Sequence, residues 1–386
     1  MSRILARFIV LAIAATFVIS PVAAKEMWVF FGTHVDAPGH GFSVARFDTR
    51  TGALTKPEFL MQAANPGFFV FHPDGKHLYA ANEVDTYHGQ PTGFVSAYTV
   101  DPVTAHLTLI NEQPSAGAGP AYLSLDHTGR YLFVANYSGG TIAAFALNPD
   151  GSIGKQTAFF QHTGHSVNSD RQTAPHPHSI RMDPTNQFAI VPDLGLDKVF
   201  VYRFDARDGS LTPNDPPFVS VAPGSGPRHL DFAPSGKFVY VMTELAGKVL
   251  VFSWDFSRGV LTQLQSISSL PAGFSGTNTS AEIRVHPSGR FLYCTNRGDD
   301  SIAVFTVDAE TGMLSFIQRV PTQGKMPRNF EFDPTAHWLL LANHDSDNVL
   351  VFKINLATGK LTQHGPPIGV PNPFAVRFLP IASAKP

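Results

Sequence analysis

Arg228 and Glu244 lie near the two free ends of one predicted β-hairpin, in the sequence GPRHLDFAPSGKFVYVMTE. The Pro-Ser-Gly turn falls between them, far from both charged residues, so the two side chains are expected to meet at the same end of the hairpin. A guanidinium group binds carboxylate or phosphate bidentately and stays charged. The carboxylate of Glu244 can act as a general base or anchor the arginine. The pair therefore indicates chemistry on an anionic ligand.

This hairpin belongs to a repeat that runs along the chain. Turn sequences of the type HPDG, DHTG, DPTN, APSG, HPSG and DPTA recur about every 50 residues, and each is followed by an apolar strand. A third strand with alternating apolar residues comes next, and a Gly-x-Leu-Thr-like turn leads into a fourth. Four antiparallel strands in a unit of this length are typical of a β-propeller blade, so the sequence predicts an all-β fold.

The two ends of the chain are predicted to supply the last blade. Trp28 to Phe31 and Phe42 to Phe47 have the patterns of a second and a third strand, Gly52 begins a turn to a fourth, and Pro373 to Pro380 provides the inner strand. We therefore predict a seven-bladed propeller of four-stranded antiparallel blades, closed by the N- and C-terminal strands. Because a blade cannot bury both faces alone, residues 25–386 are expected to form a single domain.

When the repeats are aligned, equivalent positions of the blades form columns. Two of these columns contain polar residues that a purely structural ring does not need. The first strand of a blade lines the channel, and its start shares a rim with the end of the second strand. The residues that could do chemistry at these positions come from adjacent blades and are predicted to converge at one rim: His178, Arg228, Glu244, Arg297 and Arg328. An imidazole there could hold or move a proton near neutral pH.

Other polar columns favour structural roles. Charges of opposite sign alternate at a deeper position of the inner strands and predict ion pairs that plug the channel, because buried charges need partners. Asn or Asp recurs at the end of the second strand, where such side chains commonly bond to backbone groups. The first of these columns contains Arg181, Asp231, Arg284, Glu331 and Arg377, and the second contains Asn82, Asn136, Asp193, Asn296 and Asn343.

A metal site is the alternative use of the histidines in the longest irregular stretch, Gln161 to Pro177, and just after it. His162, His165, His176 and His178 are close in sequence, but neither a cysteine nor a clear acidic partner joins them. We therefore expect loop and anion-binding histidines, with no metal and no cofactor. The chain contains no phosphate-binding loop, dinucleotide fingerprint or Gly-x-Ser-x-Gly nucleophile motif.

Residues 1–24 have the pattern of a signal peptide. Arg3 and Arg7 precede an apolar run, and the small residues that end at Ala24 suit cleavage there. The alternative is an uncleaved membrane anchor, but the run is short for a spanning helix. The single cysteine, Cys294, lies in an apolar strand pattern and allows no intrachain disulfide, which is compatible with a bacterial periplasm. We predict a periplasmic or secreted protein.

The overall charge and the closed ring limit the partners. The net charge is −2, so nothing suggests a nucleic-acid partner. No later stretch is apolar enough to span a membrane, and we expect no membrane association after cleavage. Since a closed ring needs no second subunit, a monomer is expected.

At the residues of these columns the chain resembles the lactonase family of seven-bladed propellers. The segments GPRHLDFAPSGKFVYVMTE, PHPHSIRMDP, RFLYCTNRGDDSIAVF and MPRNFEFDP carry the resemblance, which extends from about residue 26 to residue 380. The family includes bacterial 6-phosphogluconolactonases and the fungal cyclising enzyme for carboxy-cis,cis-muconate. The resemblance implies catalytic roles for His178, Arg228, Glu244 and Arg297. Residues expected to bind the substrate are Arg328, His229 and His176.

The activity implied by this resemblance is metal-independent hydrolysis of a sugar-acid lactone, with a small anionic lactone as substrate. Arg228 and Arg297 would hold the anionic group and the developing oxyanion, and Glu244 or His178 would activate water or move a proton. Phosphogluconolactone is cytoplasmic, whereas this chain is predicted to be exported. An unphosphorylated aldonolactone is therefore an alternative substrate.

Two other functions stay open at this point: a non-enzymatic periplasmic binding or scaffold propeller, and a muconate-type lactone cycloisomerase. Fold alone does not give function. One open pocket shared by the four predicted catalytic residues would favour an enzyme. Separated residues, or residues locked in buried ion pairs, would favour a binding protein.

Overall fold

The computed structural model describes residues 26–35 and 39–382 of the chain, so the predicted signal peptide lies outside the described residues. Its strands form seven antiparallel sheets, and in six of them the strands follow one another in chain order. These six blades consist of Pro66–Phe71, His77–Asn82, Phe94–Val100 and Leu107–Pro114 (blade 1); Pro120–Leu125, Tyr131–Asn136, Thr141–Leu147 and Ile153–Gln161 (blade 2); Arg181–Met182, Phe188–Asp193, Lys198–Asp205 and Ser210–Ser220 (blade 3); Pro227–Phe232, Phe238–Thr243, Lys248–Asp255 and Val260–Ser268 (blade 4); Thr279–Val285, Phe291–Arg297, Ser301–Val307 and Leu314–Pro321 (blade 5); and Pro327–Phe332, Trp338–Asn343, Asn348–Ile354 and Leu361–Gly369 (blade 6).

The seventh blade joins the two ends of the chain, as the sequence predicts. Its inner strand Pro373–Pro380 pairs with Glu26–Thr33, which pairs with Gly41–Asp48. The outermost strand is split into Ala53–Leu54 and Glu58–Gln62, and both pieces pair with Gly41–Asp48. The seven-bladed propeller is therefore confirmed.

Helix is nearly absent from the described residues. They contain one short 3-10 helix, His344–Ser346, in blade 6. Within residues 26–35 and 39–382, no helix has the length and apolarity needed to cross a bilayer.

The core of the molecule lies between the blades. Each cluster of buried apolar residues combines strands from at least two neighbouring blades: one joins Ile190 and Val201 of blade 3 to Val239 and Phe252 of blade 4. A two-sided sheet of this kind is stable because its neighbours cover both faces. Cys294 is one of these buried residues, as predicted, and burial raises the pKa of its thiol to about 12.

The Gly-x-Leu turns have a packing function that the repeat pattern does not reveal. The glycine of each turn packs against the side-chain ring of the residue that begins the second strand of the preceding blade. A Cβ added to Gly312 would lie 2.4 Å from the ring of Phe238, and the same holds for Gly359 and Phe291. Glycine is required here both by this contact and by its backbone, since Gly312 has a φ of 70°.

The asparagines at the end of the second strands are structural, as predicted. Asn136 Nδ2 donates to Ser115 O at 2.8 Å, and Asn343 Nδ2 donates to Thr322 O at 2.7 Å. In blade 3 the position is Asp193, which instead contacts His162 Nδ1 at 2.6 Å. These bonds tie the second strand of a blade to the segment that enters it.

The glycine contact generates a prediction about stability. Gly312→Ala should lower the free energy of unfolding by about 2 kcal/mol or more, because both the positive φ and the overlap with Phe238 oppose a methyl group. Gly365 is the matched control, with a φ of 72° and no atom within 4 Å of its added Cβ. Gly365→Ala should cost only about 1 kcal/mol. Urea unfolding followed by circular dichroism measures both, and equal losses would contradict the packing role.

Candidate active site

The inner strands of several blades begin with an irregular register at one rim of the channel. In blade 4 Pro227 and Leu230 are three positions apart, whereas their partners Thr243 and Val241 are two positions apart. Such a β-bulge inserts an extra residue and changes the direction of a side chain. Because of it, the consecutive residues Arg228 and His229 are both buried and both contact other blades. Blades 1, 5 and 6 show the same irregularity.

Glu244 is at the centre of the rim cluster. Its Oε2 atom lies 2.9 Å from Arg228 Nε and 2.9 Å from Arg297 Nη2. His178 Nε2 lies 3.7 Å from the same oxygen. The structure thus brings together all four residues that the sequence predicts to be catalytic, from blades 4 and 5 and from the segment that enters blade 3.

The two arginines on Glu244 are also fixed by backbone groups. Arg228 Nη1 donates to Ala281 O at 2.7 Å. Arg297 Nε donates to Thr279 O at 3.0 Å, and its Nη2 lies 3.3 Å from Ser280 O. All three acceptors lie at the start of blade 5. Both guanidinium groups are therefore held in position before any ligand binds.

Glu244 accepts a third guanidinium from a residue outside the predicted columns. Arg171 Nη2 lies 2.6 Å from Glu244 Oε1 and 3.1 Å from the hydroxyl of Tyr137. Arg171 belongs to the long loop between blades 2 and 3. The columns of the repeat do not contain Arg171, because a loop residue has no equivalent in the other blades. The sequence indicated only that this loop is polar and unusually long.

Two histidines of the cluster have ring nitrogens without a hydrogen-bond partner among the described residues. They are Nδ1 of His178 and Nε2 of His229, and both are buried. His229 Nδ1 lies 3.2 Å from Glu282 Oε1. The two rings are in edge-to-face contact with a centroid distance of 5.2 Å. Each ring can therefore accept a hydrogen bond from a ligand or a water molecule.

The charges of the cluster set its protonation states. Burial acts to raise the pKa of Glu244, but Arg297 and Arg228 hold it well below its usual range, so the side chain is a carboxylate. Burial and the charge of Arg228 hold the pKa of His178 well below its ordinary value, and the same causes act on His229. Both imidazoles are therefore neutral at pH 7.

Arg328 lies on the far side of the cluster. Its guanidinium group stacks on the ring of Phe374 at 3.6 Å and makes no hydrogen bond or ion pair within the part of the chain that the structure describes. Burial, followed by the charges of Arg228 and Arg297, lowers the pKa of Arg328 to about 9. Arg328 therefore lies in a region with excess positive charge.

Blades 1 and 2 have small residues at the positions equivalent to Arg228, and these leave space beside the charged groups. Gly67 and Ala121 line a narrow cavity with Arg228, His229 and Arg328. Its volume is about 10 Å³, which is close to the requirement of one water molecule and far too small for a sugar lactone. The four predicted catalytic residues thus lie in one cluster, but three of them are locked in buried ion pairs, and Arg228 is the one of the four that lines this cavity.

The remaining histidines do not form the metal site that the sequence analysis considered. His176 Nδ1 lies 2.8 Å from Tyr137 O, and its ring stacks on the ring of Tyr137. His162 is buried between Asp193 and Tyr202. Three possible metal ligands come together elsewhere in the described residues, as His72, Asp74 and His77 in the first hairpin turn.

Deeper in the channel the predicted ion pairs are present. Arg181 Nη1 lies 2.8 Å from Asp231 Oδ1. Glu331 Oε2 lies 3.3 Å from Arg284 Nη2 and 3.4 Å from Arg377 Nη1. A cavity of about 330 Å³ borders these arginines, but each one already faces a carboxylate. The charges at this end of the channel are structural.

Comparison with known proteins decides the family. The family model described as "Lactonase, 7-bladed beta-propeller" matches residues 28–378. The chain belongs to this lactonase family. The 6-phosphogluconolactonase of Bacillus subtilis is 35% identical over 350 residues, which cover 91% of this chain and 97% of that protein. The 6-phosphogluconolactonase of Formosa agariphila is 34% identical, with coverages of 86% and 94%.

Solved structures of lactonase propellers have the same architecture. The periplasmic gluconolactonase PpgL of Pseudomonas aeruginosa superimposes with a TM-score of 0.87 at 36% identity, covering 92% of this chain and 100% of that one. A putative 6-phosphogluconolactonase of Bacteroides fragilis gives a TM-score of 0.85 at 32% identity, with coverages of 93% and 99%. The family resemblance stated from the sequence is confirmed.

The protonation states lead to a prediction that does not depend on activity. In NMR spectra of the imidazole groups, the signals of His178 and His229 should be those of neutral rings at pH 6.5, where an ordinary imidazole is half protonated, because burial and nearby guanidinium groups lower both pKa values. The spectra of His178→Gln and His229→Gln identify the two signals by their loss. Titration of either signal between pH 6 and 7 would show that the charge balance described above is wrong.

Proposed function

We propose that this protein hydrolyses a sugar-acid lactone at the rim cluster of His178, Arg228, Glu244 and Arg297. The observation that carries the proposal is the contact of one carboxylate with two fixed guanidinium groups and a neutral imidazole. The names of the relatives, 6-phosphogluconolactonase and gluconolactonase, support the same reaction class.

Arg228 and Arg297 are proposed to stabilise the transition state. Attack of water on the lactone carbonyl places negative charge on its oxygen, and donors that are already oriented stabilise this charge without reorganisation. The backbone bonds of Arg228 and Arg297 to blade 5 supply that orientation. Glu244 balances part of their charge in the free protein.

His178 suits the role of general base better than Glu244 does. Both oxygens of Glu244 are occupied by guanidinium groups, Oε1 by Arg171 and Oε2 by Arg228 and Arg297, so neither is free to accept a proton from water. His178 is neutral and offers a free Nδ1, while its Nε2 faces Glu244 at 3.7 Å. His178 would accept a proton from the attacking water and return it to the ring oxygen as the C–O bond breaks. Glu244 would stabilise the imidazolium formed in between.

The substrate and the setting of the protein complete the proposal. Arg328, His229 and His176 are proposed to bind a small anionic lactone. Residues 1–24 are proposed to be a signal peptide cleaved near Ala24, and residues 25–386 to form a single-domain, monomeric periplasmic or secreted enzyme that needs no cofactor. The periplasmic gluconolactonase among the similar structures supports this location.

A binding propeller would also accommodate buried ion pairs. The neutral His178 with its free nitrogen favours catalysis instead, because a ring of ion pairs alone does not require it. None of the four relatives and structures described above is named as a muconate cycloisomerase.

A lactone panel tests the proposal. The mature protein should hydrolyse at least one of 6-phosphogluconolactone, gluconolactone and a muconolactone in a pH-indicator assay from which spontaneous hydrolysis is subtracted. Arg228→Ala should lose this activity, because it removes a fixed donor to the oxyanion. No turnover by the wild-type protein on any of the three would favour a binding propeller.

Glu244→Gln isolates the role of the central carboxylate. Loss of its charge should lower kcat at least about 100-fold, because the imidazolium of His178 would lose its counter-charge while the guanidinium charges remain. The exposed residue Glu310 provides the control, and Glu310→Gln should retain wild-type kcat. Circular dichroism verifies the fold of each variant, and His178→Gln should show a comparable loss. An unchanged kcat in folded Glu244→Gln would remove Glu244 from the chemistry.

A further inference from the structure

The loop between blades 2 and 3 is held firmly against the rim. Ser166 Oγ donates to Asp197 Oδ2 at 2.6 Å, and Gln172 Nε2 donates to Leu194 O at 2.8 Å. Gln172 is completely buried although it lies in a loop. Its neighbour Arg171 therefore has a defined position over the cluster and is not an unrestrained surface arginine.

Arg171 differs in exposure from the other two arginines that contact Glu244. Its side chain is 37% exposed, whereas those of Arg228 and Arg297 are 2% and 5% exposed. Of these three arginines, Arg171 is the one that a ligand in solution can contact directly. Arg228 and Arg297 are buried, so a lactone can reach them only if a covering side chain moves.

The cluster also has more positive than negative charge. Four arginines, Arg171, Arg228, Arg297 and Arg328, face the carboxylates of Glu244 and Glu83. A third carboxylate, Glu282, also acts on Arg228, but it is shared with a fifth arginine, Arg284. Burying uncompensated charge is unfavourable, and an anionic ligand would relieve that cost. A neutral sugar lactone would not.

We propose that Arg171 is the specificity-determining residue of this site and that it exchanges Glu244 for an acidic group of the substrate when the lactone binds. This acidic group lies outside the lactone ring and is either a phosphate or a carboxylate. A guanidinium group binds both bidentately. The identity of the ligand as a lactone rests on the function proposed above.

The exchange leaves no buried charge without a partner. Glu244 keeps Arg228 and Arg297 on its Oε2 atom when Arg171 leaves Oε1. The bond that breaks is the one whose arginine reaches solvent, so water and the acidic group of the substrate can replace the contact that Arg171 gives up.

Three lactones with different acidic groups test this assignment. Glucono-1,5-lactone has no acidic group, 6-phosphoglucono-1,5-lactone has a phosphate and glucaro-1,4-lactone has a carboxylate. Arg171→Ala should raise KM at least tenfold for the phosphorylated lactone, the carboxylated lactone or both, depending on which acidic group binds Arg171. It should raise the KM for gluconolactone less than twofold. Arg171→Lys should recover part of the loss, because it keeps the charge but not the planar fork.

Arg50 provides the matched control, since it is an exposed arginine that also donates to a carboxylate, that of Asp48 at 2.9 Å. Arg50→Ala should leave all three KM values unchanged. An effect of Arg171→Ala on the phosphorylated lactone alone identifies the group as phosphate, and an effect on both charged lactones shows that carboxylate is accepted as well. Equal changes for all three lactones, or no change for any, would overturn the assignment.

Binding of the ring-opened product separates this inference from the proposed function. Calorimetry with 6-phosphogluconate and gluconate requires no turnover. If the wild-type protein hydrolyses no lactone but binds 6-phosphogluconate at least tenfold more tightly than Arg171→Ala does, the hydrolase function fails and the role of Arg171 stands. If lactones are hydrolysed but charged and neutral ligands respond equally to Arg171→Ala, the hydrolase function stands and the role of Arg171 fails.

Discussion

The pairing of Glu26–Thr33 with Pro373–Pro380 is the contact on which the rest of the molecule depends. A blade exposes an apolar face on each side, and only a closed ring covers every one of them. Closure also fixes the distance between the inner strands of neighbouring blades. Residues that are about 50 positions apart in the sequence are thereby placed within hydrogen-bonding distance at the rim, as Arg228 and Ala281 are.

Within this frame, the site is built from charges that cancel only in part. Glu244 offsets part of the repulsion between the buried Arg228 and Arg297, and backbone carbonyls of blade 5 accept further hydrogen bonds from both. The strand ends could have been filled with apolar residues of similar volume, which is often at least as stable. Stability alone does not require arginines at these positions, which supports the proposed role of Arg228 and Arg297 in ligand binding.

The sequence predicted the fold and the centre of the site because both follow from the repeat. Regular spacing placed Glu244 and Arg297 at equivalent ends of second strands, and it placed His178 and Arg228 at the starts of the predicted inner strands. It could not predict Arg171, since no other blade has a loop of that length with which to align it. Nor could the sequence show that the charged residues of the site are buried by ion pairs, because this depends on which side chains pair across blades. The packing role of the turn glycines could not be predicted for the same reason, because the aromatic side chain that contacts Gly312 belongs to Phe238 of the preceding blade.

Blade 3 has the shortest inner strand of the described ring, the two residues Arg181–Met182. His178 thus lies before the strand, on the same continuous segment as Arg171, and its backbone is held by a bond from its N–H to Pro192 O. In the proposed mechanism, a displacement of this segment by the ligand would move both side chains. Recognition by Arg171 and alignment of His178 as the proton acceptor would then be linked, and a lactone that fails to engage the loop would also meet a poorly placed imidazole. In this arrangement selectivity would be expressed in the rate of the chemical step as well as in affinity.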